Sequence, residues 1–315
     1  STFEETSYLL LFGELPTSAQ LKEFTSKVTQ YRDLPGELVL ILKALPKHTR
    51  PMDVLQMAVS SLGTFYDLEV SPEKVKGKKY DEKYFLNTSA ALIGALGSIV
   101  AAWHRIRNGD EPISSKPDCT YAENFLHILG AEKITPLMTR IMDATLVLHG
   151  EHTINASTFT AMVTSSTLAN ASQVVASAIG SLSGPLHGGA NEKVIAMLQK
   201  IQSKEEIRPW LDETLKAKNV VWGMGHREYS VKDPRANILT DMVQELFEER
   251  EGGVTDIFEK AIELEKACEE KLSHKGVYPN VDFYSGILYK EMDIPTDIFT
   301  PIFAMSRVSA GWLIG

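Results

Sequence analysis

Two histidines and one aspartate stand in turns rich in glycine and proline, where side chains can be held rigidly. The first, His187, lies in the segment 184–192, GPLHGGANE. Pro185 fixes its own φ and has no amide donor, and the two glycines after the histidine allow conformations closed to most residues. The segment predicts a sharp turn into a helix with Asn191 as its N-cap. An ordinary surface histidine in a tight turn fits this segment as well.

The other two residues follow in later segments. His226 ends the glycine-bearing segment 220–226, VVWGMGH, and Asp282 lies between a proline and a glycine in 278–286, YPNVDFYSG. Histidine and aspartate side chains transfer protons near neutral pH when their surroundings tune their pKa values. Asp282 has apolar neighbours, so burial would raise its pKa and make it a stronger base. An N-cap of the next helix is the other interpretation of Asp282.

Three cations follow His226 closely: Arg227, Lys232 and Arg235. One interpretation is a solvated basic patch that Asp233 partly neutralises. The other is an anion site, because arginine binds carboxylate in a bidentate fork and lysine attracts phosphate as a point charge. Arg307, alone in an apolar stretch, either reaches the surface or pairs with an anion.

His149, Glu151 and His152 form a cluster at the end of an apolar helix. The two histidines are three residues apart and share a helix face, which makes a metal pair conceivable. The HExxH pattern is missing, and no further carboxylate completes a ligand set on the helix. A structural role for the cluster and a substrate hydrogen bond from His152 are the other interpretations, and we favour the last. Cys119 and Cys268 have no CxxC spacing, so neither a disulfide nor a cysteine zinc site is expected.

The bulk composition is that of a soluble globular protein. The 315 residues are 43% hydrophobic and 23% charged, with a net charge of −9. The acidic balance argues against nucleic acid as a partner but permits a local cation cluster for anionic substrates. No basic region precedes the first apolar run, so no secretory signal is expected. The longest apolar run, 90–103, is too short to span a bilayer and predicts a buried helix. We therefore expect a cytoplasmic protein with no membrane partner.

Helical periodicity runs through most of the chain, and strand signals are almost absent, so we predict an all-α fold. Thr2 is a possible cap of the first helix and Gly13 ends it. The lysine-rich segment 71–83 is expected to be a solvated loop. Helices are predicted over 1–12, 18–31, 38–45, 51–66, 90–107, 121–129, 135–148, 156–179, 191–202, 207–218, 234–249, 255–273, 287–292 and 301–305.

The segments around His187, His226 and Asp282 together resemble the citrate synthase family. GPLHGGANE, GMGHREYSVKDPR and PNVDFYSG occur in the family's order and spacing, and LHGEHTINAST and IFAMSRV fit its other signature segments. The resemblance covers essentially the whole chain. It implies an all-α fold with a large domain of 1–187 plus 289–315 and a small domain of 188–288 that carries the CoA-binding loop.

The resemblance also implies residue roles. Asp282 resembles the base that takes a proton from the methyl carbon of acetyl-CoA, and His187 resembles the donor to the enol oxygen. His226 resembles the group that polarises and protonates the oxaloacetate carbonyl. The implied ligands of the oxaloacetate carboxylates are His152, Arg235 and Arg307. The implied CoA-binding residues are Val220, Val221, Gly223, Gly225 and Lys232.

The implied reaction condenses acetyl-CoA with oxaloacetate and hydrolyses the thioester, without a metal or cofactor, as in the tricarboxylic acid cycle. A 2-methylcitrate synthase using propionyl-CoA would share the same residues, because one methylene in a pocket is worth only about 1–3 kcal/mol. The family also implies a homodimer or larger homo-oligomer, with the alanine-rich helices around 90–102 and 156–178 as candidate interface helices. From the residues alone, a metal-dependent hydrolase and a catalytically silent helical scaffold are the alternatives.

The chain departs from the family pattern in a few places. It begins inside the pattern and stops before the tail in which many members carry another substrate arginine. Ser230 stands where many bacterial members have lysine, and the segment 308–312 is one residue longer than usual. We expect the last two departures to affect contacts with CoA phosphates and the local register after Arg307.

Overall fold

The computed structural model describes residues 1–68, 75–76, 79–184, 186–226, 231–249 and 253–311, with only the backbone of 75–76 and 79–80. These residues form an all-α fold, as predicted, with one short hairpin. The helices are α1 (Phe3–Phe12), α2 (Ser18–Gln30), α3 (Gly36–Ala44), α4 (Pro51–Phe65), α5 (Glu82–Arg107), α6 (Tyr121–Leu129), α7 (Pro136–Gly150), α8 (Ala156–Ser165), α9 (Ala171–Leu182), α10 (Ala190–Lys200), α11 (Ile207–Lys216), α12 (Pro234–Glu249), α13 (Asp256–Leu272), α14 (Val281–Glu291) and α15 (Phe299–Gly311).

Local signals place most helix ends close to their predicted positions. Thr2 and Glu5 form a capping box at the start of α1, and Gly13 ends the helix in the left-handed conformation with φ 81°. Reciprocal side-chain bonds at an N-terminus satisfy amide groups that have no partner within the helix. The capping role of Thr2 and the stop at Gly13 are confirmed.

Helix α5 is longer than its sequence signal. It begins at Glu82, where the Asp81 side chain caps it, and runs for 26 residues. By length and composition α5 could cross a membrane, whereas the shorter run 90–103 was expected to be too short to do so. However, 89% of its apolar window is buried inside the chain. The prediction of a buried core helix is therefore confirmed.

The segment 156–179, predicted to be helical from its small residues, forms two helices with a break that was not predicted. A turn containing Leu168, with φ 58°, separates α8 from α9. The side chain of Asn170 then caps α9 by accepting a hydrogen bond from the amide of Ser172. An asparagine cap and a left-handed residue are local stop and start signals that outweigh the helix propensity of the surrounding alanines.

The lysine-rich segment 71–83 contains more than a loop. Within its described residues, β1 (Val75–Lys76) pairs antiparallel with β2 (Lys79–Tyr80), and Val75 lies opposite Tyr80. The remaining predicted loop residues, 71–74 and 77–78, lie outside the described part of the chain. The pairing is two residues long, so the fold class is unchanged.

The chain divides into two compact units, 1–187 with 300–315 and 188–299. The predicted domains share the first division after His187 but differ at the second, because 289–299 belongs to the second unit. Buried Ile294 and Ile298 explain the difference, since the short 3-10 turn Thr296–Ile298 packs on α10 and α14. In the first unit α5 packs against α2, α4 and α6, and in the second α14 packs against α10 and α12.

Candidate active site

In the first unit, the ring of His187 meets the start of α8. The backbone N–H of Ser157 donates to His187 Nε2 over 3.2 Å, and Ser157 Oγ lies 2.9 Å from the same nitrogen. Asn155 caps α8 and holds Ser157 there, because its Oδ1 accepts the Ser157 hydroxyl. A backbone N–H can only donate, so Nε2 accepts and the proton of the neutral ring lies on Nδ1.

The surroundings of His187 favour its neutral form. Burial lowers the pKa of His187, and the positive charge of Arg307 lowers it further. The positive end of the α8 dipole acts in the same direction. His187 therefore presents a neutral Nδ1–H at pH 7, which suits a hydrogen-bond donor better than a proton-transferring acid. Pro185, expected to shape this turn, lies outside the described residues.

Arg307 is buried in α15, with 7% of its surface exposed. Its Nε donates to the carbonyl oxygen of His149 over 3.0 Å, and the guanidinium lies 4.8 Å from the ring centroid of Phe303. A cavity of about 30 Å³ opens beside Arg307 and Ser157, lined otherwise by apolar side chains of α9 and α15. The interpretation that Arg307 reaches the surface is therefore wrong.

The structure separates the roles of the cluster at the end of α7. His149 is buried, its Nδ1 donates to the Thr145 carbonyl over 2.8 Å, and its ring packs edge-on against Phe303. Glu151 is exposed and His152 is half-buried. In the part of the chain that the structure describes, no group of three or more His, Cys, Asp or Glu side chains is placed to hold a metal ion. The geometry favours a structural role for His149.

The residue after His152 has an unusual backbone. Thr153 has φ 56°, a left-handed conformation that a β-branched residue rarely adopts. Such strain costs about 1–3 kcal/mol and persists where the surrounding structure imposes it. Thr153 lies between His152 and the N-cap Asn155, within the segment LHGEHTINAST that resembles a family signature.

In the second unit, the glycine-bearing segment before His226 pairs with the segment before Asp282. The amide of Gly225 donates to the Tyr278 carbonyl over 2.7 Å, and the amide of Asn280 donates to the Gly223 carbonyl over 2.9 Å. The Asn280 side chain adds a third bond, from Nδ2 to the Gly225 carbonyl at 2.9 Å. These bonds join the chain leading to His226 with the chain leading to Asp282.

This pairing requires the glycine at position 223. Gly223 has φ 80°, and a Cβ there would lie 2.8 Å from side-chain atoms of Phe283 and Val194. Any larger residue would therefore meet both backbone strain and a steric clash. Gly223, one of the implied CoA-binding residues, is thus also required by the packing of the unit itself.

Asn280, rather than Asp282, is the N-cap of α14. Its Oδ1 accepts the Asp282 amide over 3.0 Å, and α14 begins at Val281. The capping interpretation of Asp282 is therefore wrong, and its carboxylate is half-buried in the first turn of the helix. His226 is likewise half-buried and directly follows the bonded Gly225.

Arg235 forms a fork with buried Asp233. Arg235 Nε lies 3.0 Å from Asp233 Oδ1, and Nη2 lies 2.8 Å from Oδ2. Burial alone would raise the pKa of Asp233, but the hydrogen bonds and charge of Arg235 hold it below its usual value. The Asp233 amide also donates to the Pro279 carbonyl over 3.3 Å. Asp233 therefore neutralises part of the basic run, as one of the two interpretations supposed.

Of the other residues singled out in the segment after His226, the structure describes only Lys232. Lys232 lies 2.5 Å from a Glu265 oxygen. Arg227 and Ser230 lie outside the described residues. Sequence reasoning did not find Glu265, because an acidic residue within an amphipathic helix carries no signal of its own.

The candidate CoA loop presents one exposed and one buried valine. Val220 is 61% exposed, whereas Val221 is 7% exposed and belongs to the core of the unit. Lys193 of α10 lies over the Trp222 ring at 3.9 Å, a contact that the sequence did not predict.

Asn191 has a different role from the predicted N-cap. Helix α10 begins at Ala190 with Gly189 as its N-cap. Asn191 is fully buried, and its Oδ1 accepts the amide of Glu192 over 2.9 Å. The prediction was wrong because the N-cap lies two residues earlier, at the second glycine of the Gly-Gly turn.

The fold is all-α, and each unit contains a histidine-bearing turn of residue types suited to acid–base chemistry. A family model described as "Citrate synthase, C-terminal domain" matches residues 1–314. The chain is 45% identical over 313 residues to a citrate synthase of Synechocystis sp., covering 99% of this chain and 76% of that protein. It is 36% identical over 314 residues to a 2-methylcitrate synthase of Shewanella oneidensis, covering 99% and 79%.

A solved structure is also similar, a ternary complex of carboxymethyl coenzyme A and oxaloacetate with citrate synthase from Thermoplasma acidophilum. Its TM-score is 0.88 and its identity 30%, over 100% of this chain and 80% of that one. The chain belongs to the citrate synthase family. Citrate synthases at 38–45% identity over nearly the whole chain give its function as citrate synthase activity, which makes it an acyltransferase.

Proposed function

We propose that Asp282, His187 and His226 carry the condensation of acetyl-CoA with oxaloacetate. The observation that supports this most directly is the hydrogen bonding of Gly225 to Tyr278 and Asn280. These bonds join the chain just before His226 to the chain just before Asp282. Asp282 takes a proton from the acetyl methyl group, and the enol carbon attacks the oxaloacetate ketone as His226 protonates its oxygen. Water then cleaves the thioester to give citrate and free CoA.

His187 stabilises the enol through its Nδ1–H. A neutral imidazole is a suitable donor there, because the thioester α-proton is weakly acidic and the developing oxygen charge must be met by a preorganised donor. The lowered pKa of His187 and the Ser157 N–H at Nε2 both support this assignment. The route needs no metal and no bound cofactor, and full activity in the presence of a chelator is the expected result.

His152, Arg235 and Arg307 bind the carboxylates of oxaloacetate in this proposal. Buried Arg307 and the Asp233-oriented fork of Arg235 present guanidinium groups in fixed positions. The backbone of 220–225 binds the adenine end of CoA, where exposed Val220 offers an apolar surface. An Arg307→Gln variant that is stabilised by oxaloacetate as strongly as the wild type would contradict the role of Arg307.

The first test is thiol release on mixing the protein with both substrates. We expect release by the wild-type protein and a fall in kcat of about 10²- to 10⁴-fold in Asp282→Asn, because that change removes the general base. Unchanged stability of the variant to heat serves as the control for folding. Release at the wild-type rate by Asp282→Asn would contradict the assignment of the base.

A second candidate function is that of a 2-methylcitrate synthase, the activity for which the Shewanella relative is named. The preference for acetyl-CoA or propionyl-CoA distinguishes it from a citrate synthase. The curated citrate synthases are the more similar relatives. We therefore expect a higher kcat/KM with acetyl-CoA than with propionyl-CoA. A reversed ratio would assign the methylcitrate reaction.

We also propose that the chain works as a homo-oligomer in the cytoplasm. The outer face of α8 and the turn before it expose Ile154 at 61%, Phe159 at 60% and Val163 at 54%. A second copy of the chain is the occupant we propose, because the family resemblance implies an oligomer and these exposed apolar residues lie at 156–178, one of its two candidate interface helices, and just before it. The helix at 90–102 is buried within the chain and is no longer a candidate. A monomeric mass in solution would contradict this proposal.

A further inference from the structure

Glu265 of α13 contacts two residues that flank the acid–base pair in sequence. Its Oε1 lies 2.5 Å from Lys232 Nζ, and its Oε2 accepts the hydroxyl of Tyr284. The Lys232 ammonium also lies 5.7 Å from the centroid of the Tyr284 ring. One carboxylate thus joins the segment after His226 to the helix that carries Asp282.

These three groups are largely enclosed by protein. The side chains of Lys232 and Glu265 are 28% and 17% exposed, and Tyr284 is fully buried. Burial raises the pKa of Tyr284, and the negative charge of Glu265 raises it further, so its hydroxyl stays a donor. Removing one member of an enclosed charge pair costs more than removing a surface pair, because the remaining charge loses its partner.

Two backbone hydrogen bonds also join the chain around His226 to the chain around Asp282. Gly225 donates to the Tyr278 carbonyl before His226, and Asp233 donates to the Pro279 carbonyl after it. Both of these bonds reach the chain just before Asp282. Glu265 reaches the same helix just after Asp282, through Tyr284.

We propose that Glu265 is a positioning residue that sets the spacing of His226 and Asp282 by holding Lys232 and Tyr284. The inference rests on the proposed roles of that pair in the condensation. Lys232 then acts as a structural clamp, not as the ligand of a CoA phosphate that the family resemblance implied. Neither Glu265 nor Tyr284 touches the reacting atoms in this proposal.

The test compares Glu265→Gln, Lys232→Met and the double variant. Misplacement of reacting groups by about 1 Å can cost about 100-fold in rate, so we expect kcat to fall by about 10- to 100-fold while both KM values change less than about threefold. The double variant should be no slower than either single variant, because all three break the same link. Glu263→Gln is the matched control, since Glu263 lies on the same helix but pairs with Arg208 at 2.7 Å.

Hydrogen exchange gives a readout that does not depend on activity. The Gly225 amide should exchange faster in Glu265→Gln than in Glu263→Gln, because its bond to Tyr278 lies in the held segment. If Glu265→Gln fails to fold, Tyr284→Phe keeps the ring, removes the hydroxyl and should show the same changes.

Two results would overturn the proposal. One is wild-type kcat together with unchanged exchange at Gly225 in Glu265→Gln. The other is a Lys232→Met variant that only raises the KM for acetyl-CoA and loses this effect with dephospho-acetyl-CoA, which would assign Lys232 to the phosphate. Absence of thiol release by the wild-type protein would instead count against the proposed function, and hydrogen exchange would still decide the role of Glu265.

Discussion

The chemistry of His187 depends on its neighbours more than on its residue type. An exposed histidine is half-protonated near pH 6.5, whereas burial and the charge of Arg307 lower the pKa of this one. The Ser157 amide at Nε2 also assigns the tautomer. No feature of the segment GPLHGGANE reports these contacts, because Ser157 is 30 residues away in sequence.

Asp143 of α7 offers a test of pKa and stability at a single residue. Its Oδ1 accepts the amide of Phe3 over 2.9 Å, and burial raises its pKa from 3.8 to about 6. The folded protein therefore binds a proton more tightly than the unfolded chain. The contribution of Asp143 to stability falls as the pH rises from about 4 to about 6 and is constant above that.

We predict that Asp143→Asn removes this dependence. The amide oxygen still accepts the Phe3 N–H, and no charge has to be buried. The variant should be more stable than the wild type by about 1 kcal/mol at pH 7, a figure reduced for the partial exposure of the carboxylate. Urea unfolding at pH 4.5 and pH 7 measures the difference, and an equal pH dependence of the two proteins would contradict it.

At the scale of elements, Asn280 joins a helix to a loop. Its Oδ1 caps α14 at the Asp282 amide, and its Nδ2 donates to the Gly225 carbonyl. The same residue thus supports the helix that carries Asp282 and the segment that carries His226. A cap and a partly buried hydrogen bond each contribute about 1 kcal/mol.

We predict that Asn280→Ala destabilises the protein by about 2 kcal/mol, because both bonds are lost. Asn280→Asp separates the two effects, since a carboxylate still caps the helix but cannot donate to the Gly225 carbonyl. Thermal unfolding measures the stability, and thiol release measures kcat. If Asn280→Asp keeps the wild-type kcat, the bond to the loop does not position His226.

The helices themselves were largely predictable from the sequence. Periodic apolar residues and local caps predicted α1, α2, α4, α6 and α12 with ends within about two residues. The same reasoning failed at 156–179 and at Asn191, where alternative caps one or a few residues away compete. Capping choices differ by about 1 kcal/mol, so sequence patterns alone decide them poorly.

At the scale of the whole molecule, α8 and the turn before it expose three large apolar side chains to water in an isolated chain. Ile154, Phe159 and Val163 are each more than half exposed. Large apolar side chains grouped on one face are typical of a protein–protein contact. A second copy of the chain covers this face in the proposed oligomer.

We predict that Phe159→Glu lowers the mass in solution to that of the monomer. A buried charge in an apolar interface costs more than the lost contact area alone. Val254→Glu, an apolar-to-acidic change at a site 51% exposed in the second unit, is the matched control and should keep the wild-type mass. Light scattering after gel filtration measures both, and an unchanged mass of Phe159→Glu would exclude α8 from the interface.

The sequence by itself determined the all-α class, most helix positions and the candidate residues for the proposed chemistry. Each of these follows from local signals: periodicity, turn residues and short segments of residue types suited to proton transfer. Only the tertiary structure decided that Arg307 is buried, that Arg235 and Lys232 have acidic partners, and that Asn280 rather than Asp282 is the cap. Burial and charge pairing depend on residues far apart in the chain, and their free energies arise only when the helices pack.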